Sequence, residues 1–301
     1  MDNALEIAHS AAIESGGTSH AGYFRADNQD SIRLAGAVDE PRTGWICALA
    51  DGMGGYEHGK TASLLAVNAV YQAFAEPQPQ KARGMANLLM LGVQAAHQAV
   101  LREASRLGAA RMGTTLTAAA LDGRRLHLAH VGDSRAYLVR GGEIRCLTSD
   151  HTVVGDLLRM KVIAESQVRG HDQRSTLTRA VGIQPEVQPE LIEVELQEDD
   201  RLIFCSDGTW AVIEDEELAG LAASTSTMET VSQRIVQLAL ERDTDDNTSA
   251  IAVRFRKLPD KQPVFWRLAR RLKAFWQNMD RREPALACRS GENGQPVRLP
   301  G

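Results

Sequence analysis

The chain has 301 residues, 43% of them hydrophobic and 24% charged, the balance of a globular protein long enough for one large domain or two small ones. Its four isolated cysteines (Cys47, Cys146, Cys205, Cys288) argue against a zinc cluster or a disulfide framework, and no apolar run approaches the 18 residues that would read as a membrane span. The net charge of −5 is uneven: residues 257–301 carry ten Lys/Arg against four Asp/Glu, which leaves −11 on residues 1–256 and argues against a specific nucleic-acid partner for the body.

In chain order, residues 7–22 are rich in small side chains and predict short strands. The polar run Arg25-Ala26-Asp27-Asn28-Gln29-Asp30, followed by Ser31 to Leu34, reads as an exposed loop, with a site loop as the competing reading because of its density of acceptors beside a single arginine. Residues 45–50 form an apolar run that ends in Asp51-Gly52-Met53-Gly54-Gly55. An acidic side chain at a buried strand end, beside backbone without Cβ atoms, suits a hard cation; taken alone, such a stretch is an ordinary strand-to-helix turn. A helix is predicted over 57–74, with Leu64, Val67, Tyr71 and Phe74 on one face and Pro77 and Pro79 ending it. A second helix spans 84–107, with Met85, Leu89, Val93, Ala96 and Val100 aligned.

Strands then dominate. Residues 114–121 and 125–131 flank Asp122-Gly123, a hairpin signature. Gly132-Asp133-Ser134 precedes a strand at 135–140, and Gly141-Gly142 closes another hairpin. Residues 148–182 lack a long periodic element and predict a flap over the site. Strands at 191–196 and 201–205 lead to Ser206-Asp207-Gly208. Helices at 215–223 and 228–241 precede Asp245-Asp246-Asn247 and a last strand at 249–255. Nearly continuous apolar strands mean burial on both faces, while the hairpins require antiparallel pairing. The fold class that satisfies both is α+β: a four-layer α-β-β-α sandwich of two antiparallel sheets flanked by helices.

Asp51, Asp207 and Asp246 each sit at an end of a buried strand, and Asp133 makes a fourth. Buried carboxylates with so few basic neighbours repel one another unless cations join them. All-oxygen ligation favours magnesium or manganese over zinc, and a lone arginine beside them suits a phosphate.

The motifs Arg25–Asp30, Ala50–Gly55, Gly113-Thr114-Thr115, His130–Arg135, Leu177–Gly182, Cys205–Gly208 and Asp245–Thr248 occur in the order found in PPM-type (type 2C) protein serine/threonine phosphatases. Residues 7–256 resemble the compact bacterial branch of that family. The resemblance implies two or three magnesium or manganese ions. Asp51 would bridge two of them, and the Gly52 carbonyl would bind one. Asp207 and Asp246 would hold the other, and Asp133 with Asp207 a weaker third. Asp30 would act through metal-bound water, and Arg25 would grip the phosphate. The implied reaction is hydrolysis of phosphoserine and phosphothreonine without a phosphoenzyme, and the implied partner is a phosphoprotein made by a serine/threonine kinase. The alternatives are a phosphoprotein-sensing module with little turnover and a metallophosphatase of small phosphate esters.

Two positions depart from the family pattern. Gln29 stands where some relatives have a glutamate ligand, and Met53 where some have a histidine able to act as a general acid. His58 reads as a helix-start or surface residue, His130 as a core histidine, and Asp150-His151 as a holder of the 148–182 loop. Residues 257–301 lie outside the resemblance. Within 264–279, Phe265, Leu268, Ala269, Leu272, Trp276 and Met279 share one helical face, with Arg267, Arg270, Arg271 and Gln277 opposite. The bland reading is a helix docked on the body; the alternatives are attachment to an acidic protein surface or an anionic membrane. The chain is expected to be a cytoplasmic monomer, peripherally membrane-bound if the tail binds lipid.

Overall fold

The computed structural model describes residues 4–9, 12–35, 45–53, 58–75, 84–168 and 170–258. The chain divides into a unit of Met1–Leu258 and a unit of Pro259–Gly301. The expected tail helix, the helix end at Pro77 and Pro79, and Gly54-Gly55 lie outside the described residues. The body extends two residues beyond the expected boundary at 256. Lys257 donates its N–H to the Ala12 carbonyl, and Leu258 is buried in the core.

The elements are β1 (Ala4–His9), β2 (Ile13–His20), β3 (Asp30–Ala35), β4 (Ile46–Asp51), α1 (Gly59–Ala75), α2 (Met85–Leu107), β5 (Leu116–Asp122), β6 (Arg125–Val131), β7 (Arg135–Arg140), β8 (Glu143–Cys146), α3 (Val153–Arg159), β9 (Glu190–Glu195), β10 (Arg201–Cys205), α4 (Asp207–Trp210), α5 (Asp215–Ala223), α6 (Met228–Glu241) and β11 (Thr248–Phe255). One sheet has the order β1-β2-β11-β10-β7-β8 and the other β3-β4-β5-β6-β9. Every strand pair within them is antiparallel. The predicted hairpins β5–β6 and β7–β8 are present, and the turn at 132–134 between them carries the chain from one sheet to the other.

Three apolar layers result from period-two alternation on strands that are apolar on both faces. On β4, Ile46, Ala48 and Ala50 pack against α1 and α2, through Val67, Val70, Leu89 and Val93. The alternate residues Cys47 and Leu49 face the other sheet and meet Leu202, Phe204, Ile251 and Val253. On the far side, Ile203, Cys205, Ala250 and Ala252 pack against Leu218, Val231 and Ile235 of α5 and α6. This is the expected α-β-β-α sandwich.

Helix α1 differs in detail from the expected stripe. Leu64 is exposed, and the buried face is made of Ala62, Ser63, Ala66, Val67, Ala69, Val70 and Phe74. Small residues let this helix sit close to the sheet, and Leu64 turns outward. Residues 148–182 contain the short helix α3, whose Thr152 side chain caps the Gly155 N–H at 2.9 Å.

Candidate metal and phosphate site

Antiparallel pairing brings the ends of six segments to one end of the sandwich. Asp30 opens β3 and Asp51 closes β4, and the two are register partners. Both continue the inward-facing register of their strands, after Ile32 and Cys47/Leu49. Asp133 lies in the turn between sheets, Asp207 begins α4 just after β10, and Asp246 lies just before β11. Their clustering follows from strand order: β10 pairs with both β11 and β7, so the ends that carry Asp207, Asp246 and Asp133 are neighbours.

The backbone around Asp51 is fixed. Its N–H donates to Thr115 Oγ1 at 2.9 Å, and its carbonyl accepts from the Thr115 N–H and Thr114 Oγ1, each at 2.8 Å. Gly52 donates to the Gln29 carbonyl at 3.1 Å. A Cβ on Gly52 would lie 2.4 Å from the Gly59 carbonyl oxygen and 2.7 Å from that of Gln29. Only glycine permits this approach. Asp30 is braced from the opposite sheet: Ser249 Oγ donates to its Oδ2 at 2.5 Å, and Ser249 also bonds Ser19 Oγ at 2.7 Å. Asn247 clamps the β2–β3 loop through the Ala21 and Asp27 carbonyls, at 2.8 and 3.0 Å. Arg25 donates to the Asp246 carboxylate at 2.7 Å and to the Asp245 carbonyl at 3.1 Å, with its side chain 41% exposed.

The electrostatics are those of an uncompensated acid cluster. Burial, then the charges of neighbouring carboxylates, pushes the Asp51 carboxyl well above its ordinary value. Burial and the adjacent Asp207 do the same to Asp133. Asp30 is raised to about 7 and Asp207 to about 6, in both cases mainly by burial. Asp51 and Asp207 are closely surrounded by protein yet keep part of their surface open to solvent, as a cation site at the floor of a cleft requires.

Three buried acceptor oxygens here have no hydrogen-bond partner: Asp30 Oδ1, Asp207 Oδ1 and Gln29 Oε1. Buried lone pairs without donors, on groups that repel one another, are satisfied by a hard cation that takes oxygen ligands. The residues therefore fit magnesium or manganese.

Asp133 has a bracing chain of its own. Trp210 Nε1 donates to the Asp133 carbonyl at 2.9 Å. The Arg135 guanidinium stacks 3.7 Å from the Trp210 ring and donates bidentately to Asp150, at 2.9 and 2.7 Å. His151 ties the start of the 148–182 segment to this turn. Its N–H donates to the Gly132 carbonyl at 2.7 Å, and its Nδ1 accepts from the Gly132 N–H at 3.1 Å.

A second group of ligand types, His130, His151 and Glu190, has donor atoms within 4.8 Å of one another. Most of its atoms are otherwise engaged, His130 Nε2 alone being buried without a partner. Glu190 accepts from the Ser149 N–H and Oγ, His130 Nδ1 meets Thr117 Oγ1, and the Arg179 guanidinium lies 3.2 Å from His151 Nε2. That fixed cation opposes another, and the group holds the loop together instead. His58 is exposed, at the start of α1, with φ +74°. Met53 donates its N–H to the Gly113 carbonyl, and its thioether side chain does not titrate.

All seven residues singled out from the sequence lie at this end of the sandwich. Sequence reasoning did not find Ser19 and Ser249. Their signal was available: each is a polar residue on a strand, and Ser249 falls in the inward register of Ile251, Val253 and Phe255.

Five carboxylates and one guanidinium at the mouth of a two-sheet sandwich make a site for divalent cations beside an anion. The chain belongs to the protein phosphatase 2C family, whose profile matches residues 17–242. It is 36% identical over 234 residues to the serine/threonine protein phosphatase PstP of Mycobacterium tuberculosis, which covers 77% of this chain and 43% of that protein. The serine/threonine phosphatase stp of Listeria monocytogenes is 30% identical over 234 residues, covering 77% of this chain and 92% of that one. A solved structure of the PstP catalytic domain in complex with two manganese ions superposes with a TM-score of 0.70 at 30% identity, covering 83% of this chain and 99% of that one. The chain thus spans less than half the length of PstP.

Proposed function

We propose that this chain is a magnesium- or manganese-dependent protein serine/threonine phosphatase that hydrolyses phosphoserine and phosphothreonine. The observation that carries the reading is the set of buried, mutually repelling aspartates with donor-free oxygens, next to a half-exposed arginine. Asp51, the Gly52 carbonyl, Asp207 and Asp246 would hold two cations, and Asp133 with Asp207 a third. The chemistry these ions supply when bound is Lewis acidity and neutralisation of the charge on phosphate and attacking water.

The chain's own residues do the rest. Arg25, now bonded to Asp246, would exchange that partner for the substrate and orient a phosphate oxygen. Asp30, held at Oδ2 by Ser249, would act through metal-bound water. Thr114, Thr115 and Gly52 keep Asp51 in place. No cysteine or histidine is paired with a base at the carboxylate cluster among the described residues, in keeping with direct hydrolysis.

The substrate is read as a phosphoprotein, the product of a serine/threonine kinase, and the enzyme as a monomer. Among the described residues no helix is long and apolar enough to cross a membrane. The basic amphipathic pattern at 264–279 supports attachment of the tail to an acidic protein surface or an anionic membrane face. The deciding experiment is hydrolysis of p-nitrophenyl phosphate with manganese, with and without EDTA, by the wild type and by Asp207→Asn. Turnover should require metal and be lost in the variant. Metal-independent turnover or an unimpaired variant rejects the mechanism.

A further inference from the structure

Among the described residues, Tyr23 and Phe24 are the two exposed aromatic side chains in the set of large exposed hydrophobics, at 65% and 64% of their surface. They occupy the turn between β2 and β3, directly before Arg25. That turn is tightly held. Gly22 has φ +77°, and a Cβ there would lie 2.6 Å from the Asp246 carbonyl oxygen. Its N–H donates to His20 Nδ1 at 2.9 Å, and the Tyr23 ring meets His20 edge-on at 6.0 Å. Asn247 holds the carbonyls on either side, at Ala21 and Asp27. The segment that supplies Asp246 thus fixes the backbone under both aromatics.

Two aromatic rings standing in water on a rigid support cannot collapse onto the body to lose their exposure, so what buries them comes from outside. Position and charge identify it. Two residues of extended chain span about 7 Å. A peptide whose phosphate meets Arg25 can therefore bring side chains one or two residues away within reach of the neighbouring Tyr23 and Phe24. The exposed Asp27 lies in the same loop and the exposed Asp245 bonds Arg25 through its carbonyl, and residues 1–256 carry a net −11, so the peptide that fits is basic rather than acidic.

We infer that Tyr23 and Phe24 form a docking subsite for an apolar side chain one or two residues from the phosphoserine or phosphothreonine of an extended, basic phosphoprotein segment. The inference rests on the phosphatase reading above and adds a sequence preference to it.

The test uses the full chain with manganese and three probes: p-nitrophenyl phosphate, a lysine-containing phosphothreonine peptide with leucines within two residues of the phosphothreonine, and the same peptide with glycines in their place. The readout is the ratio of kcat/KM between the two peptides, which cancels any general effect of a variant on catalysis. The wild type should prefer the leucine peptide about 10-fold, through KM, as expected for desolvating an apolar side chain on an aromatic face. The ratio should fall towards one in Tyr23→Ser/Phe24→Ser and persist in Phe24→Tyr. A wild-type ratio near one, or a ratio unchanged in the double variant, overturns the inference. So does sedimentation showing a wild-type dimer that the double variant dissolves, since a second copy would then cover the rings. A wild type that hydrolyses p-nitrophenyl phosphate but neither peptide overturns the phosphoprotein reading itself.

Discussion

Asp207 shows how one carboxylate serves two states. Without cations its burial and its neighbours raise it to about 6, so its charge opposes folding; in the proposed site the same charge would be a ligand. Asp207→Asn should therefore lower manganese-supported kcat about 10³-fold, equivalent to about 4 kcal/mol of transition-state stabilisation, while raising the melting temperature in EDTA. A variant less stable than the wild type in EDTA would contradict this account. Gln29 presents the complementary case. Its Oε1 is buried without a donor against Gly59. Gln29→Glu adds a charged oxygen at that point, so manganese affinity measured by calorimetry should rise about 10-fold; unchanged affinity would place the side chain outside the cation shell. Both aspartate and glutamine were legible in the sequence because they lie in compact motifs. Ser249 and Ser19 carried only the weak signal of polar residues on strands, since their importance depends on a register between strands about 230 residues apart in sequence.

At the scale of elements, the fold depends on close approach between layers. Gly16 on β2 faces α6, and a Cβ there would lie 2.4 Å from Glu229 Cα. Backbone cannot yield as a side-chain tip does, so Gly16→Ala should cost about 1–3 kcal/mol in urea unfolding. Because Gly16 is remote from the carboxylates in register, the folded fraction should keep its turnover of p-nitrophenyl phosphate; full stability in the variant would show that α6 shifts freely. Helix α1 makes the same point from the other side. Periodicity placed Leu64 in the core, but the sheet accepted Ala62, Ala66 and Val70 and left Leu64 exposed. A helical wheel reports which residues share a face; how closely that face approaches the sheet is set by the residues opposite, here Ala48, Ala118 and Ala120 of the sheet.

The whole molecule should respond to pH and metal as a charged cavity does. Carboxyls raised in the folded state bind protons that the unfolded chain has already released. Their contribution is present below the ordinary carboxylate range and is lost as pH rises through the folded values, about 6 for Asp207 and about 7 for Asp30. His130 and His151, lowered to about 4 and about 3 by burial, act in the opposite direction, but only below their unfolded value of 6.5. The interval from pH 6.5 to 8 therefore isolates the carboxylates. In EDTA the melting temperature should fall across it, and excess manganese should reverse the loss by several degrees. A metal-free melting temperature that rises from pH 6.5 to 8 would refute the charged-cavity account.

The sequence by itself determined the layers and the ligand types. Strands apolar on both faces must lie between other layers, hairpin signals make them antiparallel, and aspartates at buried strand ends need a cation. Tertiary structure alone decided which strand lies beside which. The turn at 132–134 passes from one sheet to the other, and that crossing brings Asp133 next to Asp207, a proximity that no local pattern encodes. Burial, likewise, is a property of the assembled sandwich. The upward shifts of Asp30, Asp51, Asp133 and Asp207 arise mainly from desolvation, which exists only once both sheets have closed around their ends.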